Sequence, residues 1–428
     1  MPDLAATLDG ELFRPDSPGY DAARRPVNVA YQDVRPRLVI RCRSVSDVAN
    51  AIRYVARTGD RLAVRGGGHC FAGRSSTDGV LLDLSGLDGI SVVGEVATIG
   101  AGARLAQVYS TLHAQGRTLP AGCGPTVGIA GLTLGGGIGL LGRRYGLTCD
   151  RLIGVQVVLA DGSVVDCDAD HEPDLFWALR GAGGGQFGVV TVLRFATVPE
   201  PLATRVEARW SGGALEDVVS AWQTWAPDAP DELTVNLSVA SEPGLPMEAT
   251  LFGASLLGEG PTRELLQPFV SSADTVDLSA GLPFHRLKST FADPRGVPAV
   301  RMRSEFFSQP MSAGTVSSLL SQLEKGGREI AFTAMGGAYN RVAEDATAFA
   351  HRGERFLLEH IGAADDPWID ESWATAHLDG SGRVYPNFPD PALGDWASAY
   401  HAGNYPQLVA VKNAYDPDRF FHFFQGVS

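Results

Sequence analysis

The chain has no CxxC pair, and its five cysteines (Cys42, Cys70, Cys123, Cys149, Cys167) are odd in number. That excludes a zinc ribbon and argues against a disulfide framework, as expected for a reducing compartment. No apolar run is long enough to span a bilayer. The opening stretch, MPDLAATLDGELFRPDSPGYD, lacks a basic segment followed by an apolar one, so no secretory signal is expected and the localisation expected is cytoplasmic. Positive charge is short: the net charge is −14, which argues against nucleic acid and anionic membrane surfaces as partners. Internal repeats, low-complexity tracts and coiled-coil heptads are missing too. What remains is a globular chain whose natural partner is a small molecule, with no signature of oligomeric state.

At 428 residues the chain exceeds what one hydrophobic core serves, so two domains are expected, with interleaving allowed. Three textures divide it. Up to about residue 200, short apolar runs alternate with glycine clusters. LVIRC, RLAVRGGGH, GVLLDLSGL and GEVATIGAGA read as strands. SVSDVANAIRYVARTGD reads as a helix capped by Ser44 or Ser46, with Val45, Val48, Ile52 and Val55 at helical spacing, and RLAQVYSTLHAQG as another. From 201 to 395, TRVEARW, LTVNLSVA, MEATLFGASLL, AVRMRSEFFS, EIAFTAMGGAYN and RFLLEHIG are strand candidates, with helices around 214–226, 261–272 and 312–325. Consecutive strands with few crossovers predict one antiparallel sheet with helices on one face. Residues 396–428 hold an amphipathic helix stopped at Asp416-Pro417.

Glycines crowd into 66–68, 122–139 and 181–188. GIGLLG (137–142) and GGGQFG (183–188) each match G-x-G-x-x-G, but a dinucleotide fingerprint needs a buried strand running straight into the motif and a helix opening from it. Glycines break the run before Gly137, and VQVVLADGSVV reads as a hairpin with an Asp-Gly turn. A nicotinamide Rossmann domain is therefore not expected. Three glycine clusters suit one large dinucleotide instead, since glycine lets backbone N–H groups approach phosphate closely.

RLAVRGGGHCFAGRSSTDGVLLDLS, TVGIAGLTLGGGIGLLGRRYGLTCD and DLFWALRGAGGGQFGVVT resemble the berberine-bridge-enzyme-like FAD oxidoreductases of the vanillyl-alcohol-oxidase superfamily. AFAHRGERF, YPNFPD and GNYPQLVAVKNAYDP resemble its later motifs, so the likeness runs along nearly the whole chain. It implies an α+β fold: a two-part FAD-binding domain (1–200 and 396–428) and a substrate domain (201–395) whose antiparallel sheet is flanked by helices. It also implies a bond from His69 to the flavin 8α-methyl carbon; a neutral imidazole nitrogen is a competent nucleophile for it. By the same resemblance, Arg65, Gly66, Gly67 and Gly68 hold the diphosphate, with Gly73 closing that loop. Gly122, Thr126, Val127, Gly128, Gly131, Gly135, Gly136 and Gly139 run along the ring and diphosphate. Gly188, Val189 and Val190 approach the adenosine half. Asn404 and Tyr405 close the pocket from the C-terminal side.

The resemblance departs at Cys123. Doubly linked members carry cysteine directly before the Pro-Thr-Val-Gly that here is 125–128, and Gly124 holds that place. Neighbouring Cα atoms lie about 3.8 Å apart and their side chains diverge in extended chain, so a single tether through His69 is expected. Cys70 is expected to face away. By the resemblance, Val127 sits beside the flavin's oxygen-reactive edge, where its modest size leaves room for dioxygen; this favours an oxidase that releases H2O2 over its alternatives, a dehydrogenase or a protein with structural FAD. Tyr385 and Tyr339 are the catalytic candidates, Tyr339 on the sheet facing the ring. His351 and Glu359 are expected to be structural. No metal site is expected.

Overall fold

The computed structural model describes residues 4–213, 215–290 and 300–428. Ala214 and Ala299, at the edges of an expected helix and strand, lie outside them. Ser44 opens the helix Val45–Thr58 with a capping box: its hydroxyl accepts from the Asp47 amide and the Asp47 carboxylate accepts from the Ser44 amide, each at 3.2 Å. Gly59 ends the helix in the left-handed region, φ +69°. Val48, Ile52 and Val55 pack into the same core as Leu38, Ile40, Val80 and Leu82. Those four belong to Leu38–Arg41 and Val80–Asp83, which run parallel to each other and to Leu62–Arg65. Glu11–Phe13 adds an antiparallel edge. A second sheet is antiparallel, in the order Ile90–Val93, Val96–Gly100, Val189–Ala196, Leu152–Val158, Val164–Cys167. Its last pair is the hairpin expected around Asp161-Gly162. Neither G-x-G-x-x-G stretch has the dinucleotide context. Gly137 follows the helix Ile129–Leu134, and Gly183–Gly188 runs into a strand.

Seven antiparallel strands form the third sheet, in the order Thr275–Pro283, Leu202–Ser211, Glu248–Ser255, Leu233–Ser241, Arg328–Ala334, Phe356–Ala363, Val300–Phe307. Six follow the sequence pattern; Thr275–Pro283 was not expected: Val276, Leu278 and Leu282 alternate, but it is an edge strand with no fully buried residue. Four helices, Leu215–Trp225, Glu259–Val270, Ala313–Leu323 and Trp368–His377, cover one face and share a core with Val235, Leu237, Phe332 and Leu358. Residues of opposite parity, Thr234, Asn236, Thr333, Leu357 and Glu359, face a cavity instead. Tyr339 is not on this sheet: the strand ends at Ala334, and Tyr339 lies on the 3-10 turn Gly337–Asn340.

Two buried cations join the parts. Arg143, on the short helix Gly142–Tyr145, is 1% exposed. It donates to the carbonyls of Leu233 (3.0 Å) and Pro227 (2.7 Å), and also to those of Ala229 and Met335. Lys412, on the helix Tyr405–Tyr415, donates to the Asp416 carboxylate and to the carbonyls of Gln186 and Phe421. This pins the chain's end to the glycine loop at 183–188. No helix among the described residues is long and apolar enough to cross a membrane. An Arg143→Met variant strands several buried carbonyls. It should lose about 3 kcal/mol or more of unfolding free energy, read from denaturant midpoints.

Candidate active site

The site begins where two backbone strips touch. Past the strand Leu62–Arg65 the chain turns through Gly66–Gly68, with Gly68 at φ +77°. Opposite it, residues 124–129 are held by backbone bonds from the Leu105 amide to the Val127 carbonyl and from the Ile129 amide to the Ala103 carbonyl, each 3.0 Å. A Cβ on Gly67 would lie 2.2 Å from the Gly128 nitrogen, and one on Gly128 would lie 2.4 Å from the Gly67 nitrogen. Only glycine permits this approach. It sets His69 against Thr126, with Nε2 and Oγ1 2.8 Å apart.

Above this floor lies a cavity of about 530 Å³, roofed by the seven-stranded sheet. It gathers Gly66, Gly67, Gly68, His69, Gly122, Val127, Gly128, Gly131, Gly139, Gly188, Val189 and Val190, with Tyr339 and Tyr385. Other expected residues stand outside it. Arg65 is buried and turned away: its guanidinium donates to the carbonyls of Ser75 (3.0 Å), Ala23 (3.0 Å) and Arg24 (2.7 Å), so it braces the loop rather than facing the cavity. Gly73 makes room for the Tyr31 ring, Gly135 for the Asn387 amide and Gly136 for the Phe349 ring. Thr126 does not line the cavity but touches His69, which does. Asn404 donates to the carbonyls of Glu344 (2.8 Å) and Thr347 (3.1 Å), and Tyr405 packs on Trp396 and His401. The C-terminal contribution comes instead from Phe421, His422 and Phe423, which the Lys412 latch brings in. Cys70 lines the cavity as well, contrary to expectation, because residues 66–73 turn rather than extend.

The tyrosines are constrained. The Tyr339 hydroxyl donates to the Gly139 carbonyl (2.8 Å) and accepts from the Gly139 amide (3.0 Å); burial raises its pKa. The Tyr385 oxygen accepts from the amides of Gly137 and Ile138 (3.1 Å each) and from the Asn387 side chain (2.9 Å). Burial outweighs those bonds and pushes its pKa up to about 12. Neither is a base at neutral pH. Glu359 differs. It sits on the cavity face of Phe356–Ala363, and burial, reinforced by the charge of Glu329, pushes its pKa up to about 8. Sequence reasoning treated it as structural; the signal for it was parity, since Leu358 beside it faces the helices. His351 is packed against Phe306 and Phe349, outside the cavity lining. Arg74 lines the cavity, its guanidinium 4.5 Å from the Phe423 ring centre and donating to Gln425 (3.1 Å). Cys123 also lines it, with the buried Lys288 amine beside it.

A glycine-floored cavity beneath an antiparallel sheet that presents a carboxyl group to it suits a flavin-dependent oxidoreductase. Comparison with known proteins agrees. The family model for an FAD binding domain matches residues 36–168, and that for berberine and berberine-like proteins matches 384–428. The FAD-linked oxidoreductase YgaK of Bacillus subtilis is 33% identical, over 98% of this chain and 97% of its own. The glucooligosaccharide oxidase of Sarocladium strictum is 30% identical, over 97% and 92%. The solved structure of Physcomitrella patens BBE-like 1 superposes with a TM-score of 0.91 at 26% identity, covering 99% of this chain and 98% of that one. The chain belongs to the berberine-bridge-enzyme-like FAD-linked oxidoreductases.

The residues present fit FAD. Gly131 lines the cavity and a Cβ there would meet nothing within 4 Å, so any side chain would occupy the ligand's space. Gly183 and Gly185, at φ +91° and +77°, turn a third glycine strip along the wall, and Arg74 supplies a cation for a diphosphate. A Gly128→Ala variant must push the two floor strips apart. It should lose about 1–3 kcal/mol of stability and purify with less flavin per chain, measured by calorimetry and by the ratio of visible to ultraviolet absorbance.

Proposed function

We propose that the chain is a covalently flavinylated oxidase that takes a hydride from a small organic molecule (an alcohol, a sugar or a secondary-metabolite scaffold) and gives H2O2. Residues 1–200 and 396–428 serve the cofactor in this reading, and 201–395 the substrate. The observation that carries it is the placement of Glu359: its carboxyl group faces the same cavity as His69 and the glycine floor. FAD, when bound, supplies hydride acceptance at N5 and the reduction of dioxygen. Oxidising an alcohol also releases the hydroxyl proton, and the Glu359 carboxylate accepts it. Tyr385 has three donors on its oxygen, which leaves its own hydrogen to be given to the substrate oxygen. Tyr339 positions the 137–139 backbone that Tyr385 also holds. Phe252, Leu357 and Phe388 exclude water from the reacting end. His69 is the single tether, Cys123 stays a thiol, and Val127 leaves dioxygen its access. The name of the Sarocladium relative, an oxidase, supports this direction.

Acid precipitation tests the tether. The pellet should be yellow, and His69→Ala should release the flavin into the supernatant. A colourless wild-type pellet would refute the bond, and a His69→Ala pellet that stays yellow would assign a link to Cys123. Anaerobically reduced enzyme mixed with oxygen should reoxidise rapidly with release of H2O2; slow reoxidation makes the protein a dehydrogenase.

Glu359 has its own signature. A base must be ionised, so kcat/KM should climb with pH and level off above about 8. Glu359→Gln should cut kcat/KM by about 10²–10⁴-fold and abolish that ionisation from the pH profile. A variant with near wild-type turnover would remove Glu359 from the mechanism.

A further inference from the structure

Outside the cavity, three side chains converge from segments far apart in sequence. His113 ends the helix Leu105–His113, Glu200 lies in the connection before Leu202–Ser211, and His285 sits on the short helix Phe284–Lys288. The Nδ1 atom of His113 is 2.5 Å from one Glu200 carboxylate oxygen, and that of His285 is 3.3 Å from the other. One ligand atom from each of the three lies within 4.8 Å of the others. The two imidazole rings stack, with centroids 3.4 Å apart and planes at 26°.

Hydrogen bonds account for part of this geometry: Glu200 meets His113 Nδ1 through one oxygen and accepts from the His285 backbone amide (2.8 Å) through the other, which leaves the His285 ring unexplained. Two imidazolium rings in face contact repel, and one carboxylate cannot neutralise both. The buried Nδ1 of His285 faces the carboxylate without hydrogen-bond geometry and has no hydrogen-bond partner among the described residues. Two imidazole nitrogens with one carboxylate form a donor set suited to zinc and its transition-metal neighbours, and unsuited to magnesium or calcium. Glu200 is 7% and His285 17% exposed, while His113 is 40% exposed, which leaves an entry path and an open position toward solvent.

We propose that His113, Glu200 and His285 form a zinc-class metal site that staples the helix Phe284–Lys288 onto the helix Leu105–His113. The same short helix carries Lys288 beneath the cavity wall at Cys123, so the staple fixes a support of that wall without touching the ligand space.

Isothermal titration of chelator-treated, flavin-loaded protein with ZnCl2 at pH 8 tests it. One zinc per chain should bind, and its melting temperature should rise with zinc. Loss of an outer-sphere partner already costs a metal site about 10–100-fold in affinity. Each of His113→Ala and His285→Ala should weaken binding by at least as much and abolish the zinc-dependent rise. Lowering the pH below the ordinary histidine pKa of about 6.5 should release the metal. His113 is partly exposed, so His113→Ala should keep the metal-free melting temperature and flavin content of the wild type, and carries the test if His285→Ala fails to fold. No saturable zinc binding to the wild type, or equal affinity in His113→Ala, overturns the proposal; the latter outcome assigns the zinc to other surface groups.

Discussion

The rest of the site depends on the contact between Gly67 and Gly128. Two backbone strips from separate segments meet there with no side chain between them. Their closeness sets the direction in which His69 and Thr126 leave the chain, and these two side chains meet 2.8 Å apart. It also leaves backbone, rather than side chains, as the cavity floor. A floor of that kind offers N–H groups and free space, which a large, flat, doubly charged cofactor requires. The surrounding structure serves to hold the strips: Leu105 and Ala103 bind one by backbone bonds, and Arg65 braces the other from behind.

A floor makes no enzyme without a roof, and Arg143 ties the two together. Its guanidinium reaches from the glycine-rich half into carbonyls of the segment that enters and leaves the seven-stranded sheet. Burying an arginine this way is tolerable because backbone oxygens receive its N–H groups. The roof then contributes Glu359. Its high pKa comes from burial first and from Glu329 across the strand pair second, so the sheet register that aligns Ala331 with Glu359 also tunes that carboxyl group. The Lys412 latch closes the remaining side by carrying Phe421–Phe423 to the cavity.

Much of this was legible in the residues. The Ser44 capping box, the Asp161-Gly162 hairpin and six sheet strands follow from local pattern. Gly66–Gly68, Gly122, Gly128, Gly131 and Gly139 line the cavity together with the histidine after RGGG, whereas Gly135 and Gly136 do not. What failed did so for physical reasons. Arg65 adjoins the glycine turn, but a long side chain can leave the backbone in either direction, and buried carbonyls of Ala23 and Arg24 captured it. Asn404 and Tyr405 belong to a motif at the right place in the chain, yet the helix they open presents them to residues 344–347 and 396–401. Glu359 passed as structural because a lone acid in a strand carries no sign of what lies across its face.

The sequence alone determined the cofactor class, the α+β architecture and the identity of the tether candidate. The cofactor and the tether candidate rest on the resemblance carried by the glycine-rich motifs and by the histidine after RGGG, and the architecture rests on that resemblance together with strand alternation. Tertiary structure decided which arginine lines the cavity, that the tyrosines hold backbone, that Glu359 is buried facing the cavity, and that His113, Glu200 and His285 meet. Those facts depend on desolvation and on distances between segments tens to hundreds of residues apart. Neither quantity exists until the chain has folded.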